Sequence, residues 1–281
     1  MMIARTHALL LILLAHGVSC SVDEVTGESL QLGASSYPVD QIIQFKLPRA
    51  LREVSGLAID SKDQLFAHND EIGVVYVIDY QEGKISKRFQ LGAPPVRDDF
   101  EGIAVSAQHV YLVTSGGTIY QTTEGADGET VAYTRYPSKL DCEIEGLTYV
   151  AASDELFAAC KRLKKNKRGI KIYRWSISQT RFLAEPVVDL NREQLVAAGV
   201  RNYQPSGITL LSPERVLLLT SRKKAFIVIN LLDFGIEAIE FPLPDLHVQP
   251  EGIAIASDGR LLVADEGRNK RGRLSVYHRT R

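Results

Sequence analysis

The chain lacks the common signatures of catalysis. No G-x-S-x-G elbow, Walker loop, G-x-G-x-x-G or H-E-x-x-H occurs in it, which removes the motif-based hydrolase, nucleotide and zinc-protease readings. Neither charge is in excess: 33 Lys and Arg stand against 34 Asp and Glu. No global field therefore draws nucleic acid, and no nucleic-acid partner is expected. Cysteine is scarce, with three residues at 20, 142 and 160, and His68, His109, His247 and His278 are scattered, so no Cys or His cluster is at hand to bind a soft metal. Long apolar runs are missing too. The one at 8–15 has eight residues, too short to span a bilayer. Helical periodicity is absent except at 191–199. What remains, 45% hydrophobic and 24% charged, is ordinary for a soluble globular domain.

The N-terminus reads as a targeting segment. Arg5 lies before the apolar run, and Gly17-Val18-Ser19 supplies small residues before Cys20. Residues 1–19 are expected to be a signal peptide. Signal peptidase could cut after Ser19, or Cys20 could carry lipid as the first residue of a bacterial lipoprotein, although Gly17 stands where such signals usually place Leu. Both outcomes imply export to the periplasm or to the outer membrane and cell surface. The second adds a membrane contact through Cys20. Residues 20–39 are polar and aperiodic and read as a tether. Residues 40–281 form the folded domain.

That domain says one thing five times. Asp98-Asp99-Phe100-Glu101-Gly102-Ile103-Ala104 is echoed by Glu53-Val54-Ser55-Gly56-Leu57-Ala58, Glu143-Ile144-Glu145-Gly146-Leu147-Thr148, Gln204-Pro205-Ser206-Gly207-Ile208-Thr209 and Gln249-Pro250-Glu251-Gly252-Ile253-Ala254. The glycines are 46, 44, 61 and 45 residues apart, and a period of this size marks a repeat architecture. Each copy continues with further short apolar runs. Four strands per repeat, named a to d outward, predict an all-β, five-bladed β-propeller.

The predicted strands are 54–60, 64–69, 74–79 and 85–91 in blade one, and 100–106, 109–115, 118–122 and 130–136 in blade two. Blade three has 144–150, 155–160, 169–176 and 185–190. Blade four has 205–211, 215–221, 225–230 and 236–242. Blade five has 250–256, 260–264 and 273–279 and lacks a fourth strand. The strand-like segment 41–48 is expected to close the ring there, because closure removes an exposed edge. The long third interval holds a basic loop and a short helix at 191–199, capped by Asn191. The glycines are expected where inner strands approach too closely for a side chain.

These motifs, with Asn69-Asp70-Glu71, Ala159-Cys160-Lys161 and Val263-Ala264-Asp265-Glu266, resemble the SdiA-regulated family of bacterial exported proteins over residues 40–280. The resemblance implies a five-bladed propeller, distantly NHL-repeat-like, with a bound calcium. It implies no settled activity.

Aligned before the glycine, the copies give Ser55, Glu101, Glu145, Ser206 and Glu251. Two residues earlier they give Glu53, Asp99, Glu143, Gln204 and Gln249. Residues two apart in a strand share a face, so one or both rings should face the channel mouth. Three converging glutamates repel unless a cation or proton intervenes, and oxygen ligands suit Ca²⁺. The expected ligands are Glu101, Glu145 and Glu251, with help from Asp99, Asn69 or Asp265. Equally, the carboxylates could cap backbone N–H groups or pair with Lys161 and Arg222. Basic loops at 161–168, 222–224 and 268–273 surround this acidic centre. They suit an anionic ligand such as phosphate or an acidic glycan, or are simply solvated. Cys142 and Cys160 flank one hairpin and either form a disulfide or leave Cys160 as a small buried residue.

Two functions compete. One is an exported, monomeric, calcium-stabilised binding propeller that takes a protein, glycan or anionic ligand at its channel face. The other is a calcium-dependent lactonase- or phosphoesterase-like hydrolase, for which Glu53, Asp70 or Glu143 could act as base.

Overall fold

The computed structural model describes residues 29–32, 35–138, 140–163, 169–200, 203–220, 225–240 and 246–280. Residues 1–19, expected to be a signal peptide, Cys20, and the basic runs 164–168 and 221–224 (which include Arg222) lie outside the described residues.

The first described elements are the hairpin β1 (Ser29–Leu32) and β2 (Ser35–Pro38), then β3 (Ile42–Lys46). Blade one is built from β4 (Val54–Ile59), β5 (Leu65–Asn69), β6 (Val74–Asp79) and β7 (Lys84–Leu91). The second set is β8 (Phe100–Val105), β9 (Val110–Thr114), β10 (Ile119–Thr122), β11 (Thr130–Val131) and β12 (Tyr133–Tyr136). Blade three has β13 (Cys142–Val150), β14 (Glu155–Leu163), β15 (Gly169–Ser176), β16 (Arg181–Phe182) and β17 (Val188–Asn191), followed by α1 (Arg192–Ala197). Blade four is β18 (Pro205–Ser212), β19 (Arg215–Thr220), β20 (Ala225–Asn230) and β21 (Ile236–Glu240). Blade five starts with β22 (Pro250–Ile255), β23 (Leu261–Asp265) and β24 (Arg273–Tyr277).

The innermost strands touch in a ring, β4 to β8, β13, β18, β22 and back to β4. The protein is a five-bladed β-propeller. Strand alternation explains its packing. In blade four, Val216, Leu218, Ile227 and Ile229 pack toward blade three. Their neighbours Leu217, Leu219, Phe226 and Val228 pack toward blade five. A blade is thus buried on both faces, and its middle strands read as unbroken apolar runs. Each such side chain contributes about 1.5–3 kcal/mol when fully buried.

β3 closes the ring as the outer strand of blade five, antiparallel to β24 from Arg273 opposite Lys46 to Tyr277 opposite Ile42. The seam has further ties. Leu47 N donates to Gly272 O at 2.8 Å, and Arg271 Nε donates to Leu47 O at 2.6 Å. Leu47 and Leu51 are fully buried beneath it.

Two segments differ from expectation. Of 130–136, only β12 edges blade two; β11 pairs in parallel with Gln90 and Leu91 of blade one. Val131 is thereby buried with Phe89 and Leu91, a gain that a solvent-facing edge of blade two would not offer. The described part of 20–39 is no loose tether. Leu30, Leu32 and Tyr37 are buried against blades four and five, and Tyr37 OH donates to Gly259 O at 3.0 Å. These apolar residues, spaced at alternate positions among polar ones, fill an interblade groove.

α1 begins with a capping box between Asn191 and Gln194, and Leu195 anchors it to the core between blades three and four. Cys142 and Cys160 are joined in a disulfide. The glycine ring is as tight as expected: a Cβ on Gly102 would lie 2.7 Å from Leu147 N, and one on Gly252 would lie 3.1 Å from Gly56 C. Among the described residues no helix is long and apolar enough to cross a membrane.

Candidate functional site

The site is made by five bulges. In β4, Val54 pairs with Asn69 and Gly56 with His68, which leaves Ser55 without an opposite residue. Glu101 is skipped in the same way between Phe100 and Gly102, as are Ser206 between Pro205 and Gly207 and Glu251 between Pro250 and Gly252. In β13, Glu145 and Gly146 together fall between the pairs Ile144–Cys160 and Leu147–Ala158. A bulge bends its strand and re-aims the extra side chain. Every residue of the ring before the glycine is therefore placed by a bulge, five times over.

Two tiers result. The earlier positions, Glu53, Asp99, Glu143, Gln204 and Gln249, are partly or fully exposed. Below them Glu145 is 4% exposed, Glu251 8%, and Ser206 1%. Deeper still, Leu57, Ile103, Leu147, Ile208 and Ile253 follow the glycines along the axis and are buried. This aliphatic plug makes the acidic tier a one-ended site.

The structure brings Glu101, Glu145 and Glu251 into one electrostatic unit with Lys161. Burial, then the neighbouring Glu145, pushes the Glu101 carboxyl far above the ordinary range. Burial, then Glu145, pushes Glu251 up to about 8. Burial also raises Glu145, against the pull of Lys161. Burial opposes the Lys161 charge, but Glu145, Glu251 and Glu101 outweigh it and hold the ammonium above its usual value. The tendencies of Lys161 and Glu145 conflict, since one stays charged while the other is driven toward neutrality. Geometry settles it: Nζ lies 2.6 Å from Glu145 Oε1, so these two form the ion pair. Glu101 accepts from Ser55 Oγ at 2.8 Å. Among the described residues, neither Glu101 nor Glu251 has an ion-pair partner of its own.

The other expected ligands are occupied elsewhere. Asn69 Oδ1 accepts from Ile72 N at 3.0 Å. Asp265 is 1% exposed and accepts from His247 Nδ1 at 2.6 Å and from Gln249 N at 3.1 Å. His247 Nε2 in turn meets the Tyr277 hydroxyl. This polar core holds blade five together, and Asp265 is a part of it rather than of the ring. Asp99 is exposed and accepts from Ser115 Oγ, but its charge still reaches Glu101 and Glu145. Glu53 pairs with Arg52 at 2.6 Å, and Glu143 with Arg162 at 3.5 Å. Asp70 differs: its Oδ1 is buried without a partner, and burial plus Glu53, Glu71 and Glu266 raise its carboxyl to about 6.

For a cation the donor chemistry fits: oxygen atoms only, and two carboxyl groups in excess of the one ammonium. The placement is not yet a cage, because among the described residues no three His, Cys, Asp or Glu side chains are grouped to hold an ion. The basic rim is thinner than the sequence suggests. Arg271 turns inward to the carbonyls of Leu47 and Lys46, and Arg268 bonds to Gln249.

The bulge is what sequence reasoning missed. Its signal is the glycine itself, since a glycine inside a strand often marks a bulge.

Comparison with known proteins agrees with the fold. Residues 248–277, the three sequential strands of blade five and the approach to them, match the NHL repeat. Glutaminyl cyclase of Myxococcus xanthus is 12% identical, with 84% of this chain and 94% of that one covered and a TM-score of 0.53. A luciferin-regenerating enzyme is 9% identical over 84% and 95%, with a TM-score of 0.53. The PQQ-bound aldose sugar dehydrogenase of Streptomyces coelicolor is 13% identical over 84% and 98%, with a TM-score of 0.52. No curated protein matches the chain. At these identities the likeness shows the propeller fold alone.

Proposed function

We propose that the protein is an exported binding propeller whose channel mouth is a divalent-cation centre, occupied by Ca²⁺. One observation carries this reading. Two buried carboxyl groups, Glu145 and Glu251, and the half-buried Glu101, from blades three, five and two, share a single lysine, so full ionisation leaves two negative charges, the complement of one divalent ion. Glu101 and Glu251 are the principal ligands, Glu145 with Lys161 supplies the neutral remainder, and Asp99 adds field from the mouth. Ca²⁺ accepts about six to eight oxygens, and Ser55, Ser206 and water are at hand to complete the shell. When bound, the ion supplies the positive charge that lets these carboxylates stay ionised while buried. The chain's own residues orient it and, through the aliphatic plug, confine access to one face. A protein or glycan partner then docks on that face. The fivefold sequence motif supports grouping the chain with SdiA-regulated proteins, and a cysteine close after the apolar run supports Cys20 as a lipid-bearing membrane anchor.

The test is calorimetric titration of the purified chain with Ca²⁺ at neutral pH. Binding is expected, together with a rise in melting temperature, since a ligand of the native state stabilises by mass action. Glu101→Gln and Glu251→Gln should lose it. Lys161→Met, which removes the competing cation, should bind more tightly. Glu124→Gln, whose side chain pairs with Lys87 at the periphery, should behave as wild type. No heat and no thermal shift would leave the ring to protons and Lys161.

Asp70 favours a second reading, hydrolysis. Its carboxyl, raised to about 6 by burial and by Glu53, Glu71 and Glu266, has the pKa of a general base, and its buried Oδ1 has no hydrogen-bond partner among the described residues.

A further inference from the structure

Blade three differs from the others at its bulge. There a covalent bond crosses from the inner strand to its neighbour: Cys142 of β13 is bridged to Cys160 of β14, with Cα atoms 5.7 Å apart. Both residues are buried, at 6% and 0% exposure. Cys142 lies three positions before Glu145, and Cys160 immediately precedes Lys161.

The pairing of these two strands is irregular just where the charges sit. The register of β13 on β14 shifts between Glu143 and Ile144 and again between Ile144 and Leu147. The ladders of β4, β8 and β22 with their partners each shift once. The offset of β14 on β13 thus changes on both sides of Ile144, where blades one, two and five change once. Blade three is also the blade that supplies both members of the buried ion pair, with Lys161 Nζ 2.6 Å from Glu145 Oε1. Side chains alternate along a strand, so a slip of one residue between β13 and β14 would turn Lys161 to the opposite face. Glu145 would then be buried beside Glu101 and Glu251 with no counter-charge.

We propose that the Cys142–Cys160 disulfide is a positioning element of the acidic centre: it fixes the offset of β14 on β13 at which Lys161 reaches Glu145. Its consequence for ion binding rests on the cation reading above; its geometry does not. With the bridge in place Lys161 cancels one of the three carboxylates, and the centre is matched to a divalent ion. Without it the ammonium swings toward solvent and the charge balance of the centre changes. Cys142 and Cys160 thus act through Lys161 and touch no ligand.

The experiment compares three forms of the full chain: the oxidised protein, the same protein reduced by a phosphine, and the Cys142→Ala/Cys160→Ala variant. In the reduction the phosphine gives up two electrons and takes oxygen from a water molecule to end as its oxide, and the two protons of that water complete the two thiols. Native acetylation read by mass spectrometry follows Lys161. Lys171 is the internal control, because its side chain is equally exposed, at 24%, and equally paired with a carboxylate, Asp189, at 2.6 Å. Loss of the bridge should raise Lys161 labelling several-fold and leave Lys171 unchanged. Calcium titration forms a second arm. Removing the bridge should alter the affinity in the wild type and have no further effect in Lys161→Met, whereas a merely structural bridge would act alike in both backgrounds. Equal labelling of Lys161 with and without the bridge overturns the proposal. So does unfolding of both bridge-free forms, which would show that the bond holds the blade and not the offset. Increased Lys161 labelling in a protein that takes up no calcium would uphold the positioning role and sink the cation reading.

Discussion

His68 should make the protein acid-sensitive in a defined window. Its ring is fully buried in β5. Nδ1 lies 2.8 Å from Asn69 O, an acceptor, so Nδ1 carries the proton and donates. Nε2 is buried with no partner, and a Cβ on Gly56 would come within 2.5 Å of it. A second proton would thus sit against the backbone with nothing to receive it. Burial lowers the folded pKa to about 4, opposed by the bond to Asn69. The unfolded chain titrates near 6.5, so between those values it binds more protons than the native state, and stability falls as the pH falls. At about 1.4 kcal/mol per unit, the full loss is about 3 kcal/mol below pH 4, of which about 2 kcal/mol is gone by pH 5. The assay is urea unfolding of wild type and His68→Gln from pH 7.5 to 4, in chelator. The raised glutamates titrate in both proteins, so the difference between the two curves isolates His68. It should shrink in the variant's favour by about those amounts. Parallel curves would mean that the ring finds a proton acceptor and that the burial argument fails.

Gly102→Ala should cost about 1–3 kcal/mol in denaturant unfolding, as overpacking against backbone does, because its Cβ would meet Leu147 N at 2.7 Å. Gly116→Ala, with 3.9 Å to its nearest neighbour, should be neutral or slightly stabilising; equal costs would mean that the inner strands are not in contact. Deleting residues 29–48 should abolish a cooperative melt or cause aggregation, since it exposes the edge of β24 and uncovers the apolar groove between blades four and five. A truncated chain that melts like the full one would put the closure elsewhere.

The architecture was legible because it is written in apolar runs and repeated. Five copies of one motif fix where inner strands begin, and the missing fourth strand of blade five points to the segment around Phe45. What alternation could not reveal is any place where alternation breaks. Counting by two puts Asp99 and Glu101 on one face, yet a bulge carries Glu101 inward while Asp99 stays at the rim. Asp265 was drawn into the metal set by its place at the end of a strand. Its partners, His247 and Tyr277, lie 18 and 12 residues away in sequence, and no local pattern announces such a contact. The hairpin at 29–38 was hidden by composition: its buried side chains, Leu30, Leu32 and Tyr37, are outnumbered by polar ones. Lys161 was visible as a partner for the carboxylates, but only the fold shows that it faces all three.

The ring is fivefold in backbone and unequal in charge, and the inequality follows from what burial allows. Each bulge offers the same inward position. Five glutamates there would bury five carboxylates a few strands apart, and a buried charge without a partner is among the costliest features a fold can carry. The chain places Ser55 and Ser206 in two of the five positions. Glu251, in blade five, is thereby flanked by the serines of blades four and one, while Glu101 and Glu145 are neighbours. The adjacent pair is where repulsion is greatest, and blade three, one of the two blades involved, supplies Lys161. Its ammonium reaches Glu145 first and Glu251 and Glu101 less strongly. If the ring served stability alone, serine at all five positions would fold more easily. Local rules are broken in working proteins chiefly where function requires it. The cost is concentrated in Glu101 and Glu251, so those are the residues on which a ligand's positive charge has most to act.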